Sequence, residues 1–238
     1  LTSYDHRILY YGPEDINQLC FKLQKLHLNH NNLRVLPDQQ EYEENTMTKS
    51  QVYIVDYDMK QAEVVIISKG SLLNVEEAPI IRFHNEYFGW GMSSILFQEM
   101  REAKALAYSV YSTYTMPKKP EDSHYQFSYI GTQADKLKEA MEGMMGLLKK
   151  MTESEGNMKS AREGVIQKIR TERITKSQIL TEYEKVQKQG IDFDVRKNIF
   201  DQVQDFTMED LRVFHETHIN NENYIYMILG DKDKLDMD

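Results

Sequence analysis

The chain has 238 residues, and 40% hydrophobic against 28% charged residues is the balance of an ordinary soluble globular protein. Its formal charge of -9, with basic residues spread along the chain, argues against a nucleic-acid-binding surface, and no apolar run approaches the roughly 20 residues of a membrane span. The single cysteine, Cys20, excludes an internal disulfide framework and a multi-cysteine metal site.

A strand followed by Gly-x-x-Asp occurs at both ends of the chain. Residues 6–11 (HRILYY) form an apolar, β-prone run, and after a Gly-Pro pair Asp15 is suited to cap a helix. Residues 223–229 (NYIYMIL) are a second such run, followed by a glycine and Asp233. The repeat predicts that residues 1–30 are the strand-helix end of a preceding, similar domain.

The segment between these ends defines the predicted domain boundaries. Residues 37–50 (PDQQEYEENTMTKS) are polar and acidic, which is typical of a linker. We therefore divide the chain into the strand-helix 1–30, a linker 31–48 and a C-terminal domain 49–238. Because the first residue is Leu1 rather than Met, we expect a processed or internal N-terminus, and the sequence leaves the compartment unassigned.

The C-terminal domain alternates strands and helices. Five strands are predicted, at 51–57, 62–68, 106–116, 123–130 and 223–229. The first two flank a polar turn and suit a hairpin, and the third and fourth suit another. Capping boxes are predicted where Thr132 precedes Asp135 and where Thr207 precedes Asp210. The order predicts an α+β fold, a mostly antiparallel sheet covered by helices.

The most specific stretch covers residues 87–112, YFGWGMSSILFQEMREAKALAYSVYS. Its Gly-rich turn, Met-Ser-Ser helix start and Arg-to-Leu-Ala-Tyr segment resemble the non-catalytic half of the pitrilysin/insulinase-like zinc metallopeptidases, an inverzincin family. The other elements of residues 49–231 follow the family order. Two departures are Trp90, where the family usually has Gly, and Lys104, which is shifted by one position.

This resemblance implies the substrate-binding C-terminal part of a zinc endopeptidase that hydrolyses peptide bonds. Zinc would lie in the parent protein, on an N-terminal catalytic half of the same protein, and the two halves would close around a peptide or unfolded protein substrate. No H-x-x-E-H motif is present here, so we expect no catalytic residue, metal ligand or cofactor on this segment alone. The pairs His27/His30 and His215/His218 are expected to be ordinary helix-surface or core-edge histidines.

Arg101 and Tyr108 are the candidate site. Both side chains are hydrogen-bond donors at neutral pH, and two donors aimed at a peptide carbonyl orient it and stabilise an oxyanion. The resemblance implies that they reach the substrate in this way. Neighbouring residues predicted to line a peptide groove are Phe88, Gly89, Trp90 and Gly91. The plainer interpretation is that Arg101 ends a helix and Tyr108 packs in a strand.

A catalytically silent scaffold, or the partner subunit of a family heterodimer, is the alternative function. The presence of both Arg101 and Tyr108 favours the peptidase, since a scaffold has no need of the pair. A stand-alone interaction module is disfavoured because the strand-helix of residues 1–30 needs a neighbouring domain to cover it.

Overall fold

Two compact units make up the chain. The computed structural model describes residues 4, 6–26, 33–38, 40 and 42–236. One unit takes its described residues from Leu1–Glu44 and Ile174–Gln187, and the other from Asn45–Arg173 and Lys188–Asp238.

The regular elements follow the predicted alternation of strands and helices. The strands are β1 (Gln51–Asp56), β2 (Gln61–Leu72), β3 (Ser109–Tyr114), β4 (Ser123–Gln133) and β5 (Ile225–Gly230). The α-helices are α1 (Ile16–Leu26), α2 (Ala78–His84), α3 (Leu137–Lys149), α4 (Glu155–Thr171), α5 (Ile179–Lys188), α6 (Val195–Gln202) and α7 (Met208–Phe214). Short π-helical turns are Asn85–Gly89, Phe97–Ala103 and His215–Ile219, and 3-10 turns are Val75–Glu77 and Ala134–Lys136.

The smaller unit contains α1 and most of α5. As predicted, Asp15 caps α1, since its Oδ1 accepts the backbone N–H groups of Asn17 and Gln18 at 2.9 and 3.2 Å. The strand predicted over residues 6–11 is not formed. An isolated run of β-prone residues needs a neighbouring strand to complete its hydrogen bonds, and no described strand lies beside this one.

The larger unit is built on one five-stranded sheet with the order β1-β5-β2-β4-β3. Of the described pairs, β1 with β5, at one edge of the sheet, is parallel, and the other three are antiparallel. Alternate residues of β2, among them Val64 and Ile66, are fully buried in the core that the helices complete. The predicted α+β fold with a mostly antiparallel sheet is therefore confirmed.

Strand pairing differs from the prediction at one place. β1 and β2 do not form a hairpin, because β5 lies between them, with Ile228 opposite Ile54 on one side and Val64 on the other. An apolar strand such as β5 gains hydrogen bonds and burial from two neighbouring strands. The polar link between β1 and β2 is long enough to pass the end of β5. The hairpin of β3 with β4 is confirmed.

Of the two predicted capping boxes, one is formed and the other is not. Thr207 and Asp210 form a complete capping box at the start of α7, with Asp210 Oδ2 accepting the Thr207 N–H at 2.7 Å. The box predicted from Thr132 to Asp135 is wrong. Thr132 is buried and still belongs to β4, and its hydroxyl donates to the carbonyl of Leu106 at 2.6 Å.

Candidate functional site

Arg101 lies on the π-helical turn Phe97–Ala103 with 47% of its side chain exposed. Its guanidinium sits over the ring of Phe97, 4.8 Å from the ring centroid, which orients the side chain without neutralising its charge. The carboxylate of Glu102 is 4.0 Å away, at the outer limit of an ion pair. Arg101 therefore presents a charged, largely unoccupied donor group to solvent.

Tyr108 directly precedes β3 and is 39% exposed. Its backbone N–H donates to Gly131, and its phenol donates to the carbonyl of Thr132 at 2.7 Å. Partial burial, and then the negative charge of Glu63, raise the pKa of Tyr108 above its ordinary value. The phenol is therefore neutral at pH 7, and its proton is directed at the protein's own backbone.

Both predicted residues line one open depression of about 220 Å³. The rest of its wall consists of the loop 105–107, Gln133 and Lys136. The structure thus brings Arg101 and Tyr108 together in one depression. The strand predicted to begin at residue 106 begins three residues later, as β3.

The loop between the two residues folds back on the π-helical turn. The backbone N–H groups of Leu106 and Ala107 both donate to the carbonyl of Met100, at 2.8 and 3.3 Å. Ala105 adopts a positive φ of 50°, a left-handed conformation that is strained for a residue with a Cβ. This reversal is what places Tyr108 beside the arginine seven positions earlier.

Phe88 and Gly89 do not lie at a surface. Phe88 is 1% exposed and packs against the rings of His84 and His215. A Cβ on Gly89 would stand 1.9 Å from the carbonyl oxygen of Ser112, so only glycine lets this turn contact β3. These two residues attach the turn to the core.

Trp90 and Gly91 face solvent. Trp90 is 47% exposed and stacks on Tyr111, with ring centroids 5.4 Å apart. Gly91 has a φ of +86° with open space around it. For these two residues, groove lining stays a prediction.

His84 and His215 form a buried pair in the larger unit. His215 is buried, not at the core edge as expected, and its Nε2 lies 3.1 and 3.0 Å from the carbonyls of Leu147 and Leu148. Carbonyls only accept, so this nitrogen carries the proton and Nδ1 accepts from Nε2 of His84 at 3.0 Å. This hydrogen bond connects α2 to the π-helical turn that follows α7.

The other predicted pair, His27 and His30, lies outside the described residues. Within the described part of the chain, no three His, Cys, Asp or Glu side chains are grouped so that they could hold a metal ion.

Stability is expected to fall as the pH drops below about 6.5. Burial lowers the pKa of His215 to about 4 and that of His84 well below its ordinary value, whereas both titrate near 6.5 when unfolded. Between those values the unfolded chain binds more protons, so each histidine removes up to about 1.4 kcal/mol per pH unit. Urea unfolding from pH 8 to 5.5 measures this. A free energy of unfolding that does not change with pH would contradict this expectation. So would a pH dependence that is lost in the control variant His6→Gln, which alters an exposed residue.

The family model described as the peptidase M16 inactive domain matches residues 8–164, more than half of the chain. The chain belongs to the peptidase M16 inactive-domain family. The resemblance of residues 87–112 to the non-catalytic half of this peptidase family is thereby confirmed. No protein of established function in a search of curated proteins matches the sequence.

Solved structures share the fold of this M16 inactive domain. A peptidase M16 inactive domain from Pseudomonas fluorescens is 16% identical with a TM-score of 0.68, covering 86% of this chain and 48% of that one. A protease from Helicobacter pylori is 16% identical with a TM-score of 0.69, covering 91% and 53%. A chain of Complex III2 from Candida albicans is 14% identical with a TM-score of 0.63, covering 94% and 54%. The chain thus spans about half the length of these structures.

Sequence reasoning missed five of the residues that line the depression in this M16 inactive domain: Ala105, Leu106, Ala107, Gln133 and Lys136. Gln133 is the last residue of β4 and Lys136 follows that strand. Both lie more than thirty residues after Arg101, and no motif links them to it. In the described segments, no helix combines the length and apolar character needed to cross a membrane.

Proposed function

We propose that this chain is the substrate-binding C-terminal part of a zinc endopeptidase, in which Arg101 and Tyr108 contact the carbonyl of the scissile peptide bond. The observation that carries the proposal is that both side chains line one open depression. In this proposal the zinc site belongs to an N-terminal catalytic half outside this chain, and the substrate is a peptide or unfolded protein held between the halves. Residues 1–30 would then end the domain that precedes this one.

The two donors would act differently. The guanidinium of Arg101 already faces solvent, so its N–H groups are ready to donate to a carbonyl oxygen. Tyr108 must first release the carbonyl of Thr132, 2.7 Å away, before its phenol donates to substrate. Charge that develops on the peptide oxygen would strengthen both bonds, which is the condition for lowering the barrier rather than only binding substrate.

A catalytically silent scaffold or partner subunit is the second candidate. The bond from Tyr108 to Thr132 favours it, because the phenol already has a structural partner. The likeness to a chain of Complex III2 from Candida albicans adds support, because that assembly is not named as a protease. Kinetics of Arg101 and Tyr108 variants separate the two functions, and an H-x-x-E-H motif upstream in the same reading frame would favour the peptidase.

The 238-residue chain alone is expected to bind no stoichiometric zinc and to cleave no peptide, because the proposed ligands and base lie elsewhere. Metal analysis of protein purified without chelators, together with cleavage of a quenched peptide, measures this. One tightly held zinc per chain that is lost in the double variant His215→Gln, His218→Gln would contradict the proposal that the zinc site lies outside this chain.

A further inference from the structure

The depression beside Arg101 is lined by donors and cations. Arg101 and Lys136 contribute its charges, Tyr108 and Gln133 its other polar side chains, and none of its lining residues is Asp or Glu. The chain as a whole is acidic, with 38 Asp and Glu against 29 Lys and Arg. Glu63, whose charge acts on Tyr108, is not among the lining residues. A hollow whose lining has two cations and no carboxylate provides a local attraction for an anion.

Neither cation is neutralised by a close partner. The nearest described carboxylate to Arg101 is that of Glu102 at 4.0 Å, and exposed pairs of this kind contribute little. The Lys136 ammonium lies 3.5 Å from the carbonyl of Ala105 and, among the described residues, forms no ion pair. Both therefore retain donors for a ligand.

Local backbone structure holds the hollow in shape. Ala105 keeps its φ of 50°, which is strained for a residue with a Cβ, where the wall turns. Its carbonyl faces the ammonium of Lys136, which directly precedes α3. The positive end of the α3 dipole adds to the field of the two cations.

We propose that this depression binds a carboxylate of the peptide substrate, with Lys136 as its specificity-determining contact beside Arg101. The inference rests on the proposed peptide-binding function. A volume of about 220 Å³ is smaller than the roughly 300–1,000 Å³ of sites for drug-sized ligands, so it admits one side chain or a chain end. The carboxylate belongs to an acidic side chain or to the C-terminus of the peptide.

Fluorescence anisotropy with three labelled alanine-based pentapeptides tests this on the 238-residue chain. One peptide has a central glutamate and an amidated end, one a central glutamine and an amidated end, and one a central glutamine and a free carboxylate. We expect one or both carboxylate peptides to bind about tenfold more tightly than the neutral one, because a charge-assisted hydrogen bond is worth about that factor. Which of them binds identifies the source of the carboxylate.

The matched variants are Lys136→Gln and Lys138→Gln, which remove the same charge two positions apart, since Lys138 is exposed and lines no part of the hollow. Loss of the preference in Lys136→Gln alone supports the proposal. Equal binding of all three peptides by the unmodified chain, or equal effects of the two variants, overturns it. Failure of the carbonyl-contact function would appear instead in cleavage kinetics and would leave this binding preference in place.

Discussion

In the longer, two-half peptidase proposed above, Tyr108→Phe and Arg101→Ala are each expected to lower kcat for peptide cleavage by about 10²–10³. Loss of one oxyanion-stabilising donor typically has that effect. Because the contact strengthens in the transition state, kcat and kcat/KM should fall together, whereas loss of substrate gripping alone would raise KM. Steady-state kinetics on a quenched peptide measures both constants.

Tyr111→Phe is the matched control, since it removes the same hydroxyl three residues later on β3, outside the depression. Zinc content should be unchanged in all variants. The melting temperature of Tyr108→Phe should fall slightly, because its bond to Thr132 is lost, a contribution of about 0.5–1.5 kcal/mol. Wild-type kinetics in both site variants, or activity lost only through unfolding, would make the pair structural and favour the scaffold.

Gly89→Ala is expected to destabilise the larger unit by about 3 kcal/mol or more. The added methyl group would stand 1.9 Å from the carbonyl oxygen and 2.6 Å from the carbonyl carbon of Ser112, and backbone in a paired strand cannot move aside. Forcing atoms into a packed interior typically costs about 1–3 kcal/mol when side chains yield, and here none is available to yield. Urea denaturation of purified protein measures the change.

Gly146→Ala on α3 is the control, because its new methyl group meets no atom within 4 Å. That substitution should raise stability by up to about 1 kcal/mol, the helical advantage of Ala over Gly. Equal stability of Gly89→Ala and the unmodified chain would show that the turn is free to leave β3. Insoluble or unfolded Gly89→Ala, beside a folded Gly146→Ala, agrees with the expectation.

Local patterns in the sequence determined the elements of the larger unit. Runs of β-branched and aromatic residues placed the five strands to within a few positions, since these side chains suit the extended backbone of a strand. The Thr207–Asp210 box was predicted correctly because both of its bonds lie within four residues. The family, too, was predicted from a contiguous stretch, residues 87–112, and confirmed by the family match.

Only the tertiary structure decided what depends on distant residues. The insertion of β5 between β1 and β2, the bond of His84 to His215 and the place of Lys136 beside Arg101 join positions far apart in the chain. The sequence itself determined which residue types were available at the candidate site, Arg101 and Tyr108. Packing decided that Phe88 is core, that Tyr108 already donates to Thr132, and which side chains surround the hollow, because burial and hydrogen bonding depend on the neighbours that folding brings together.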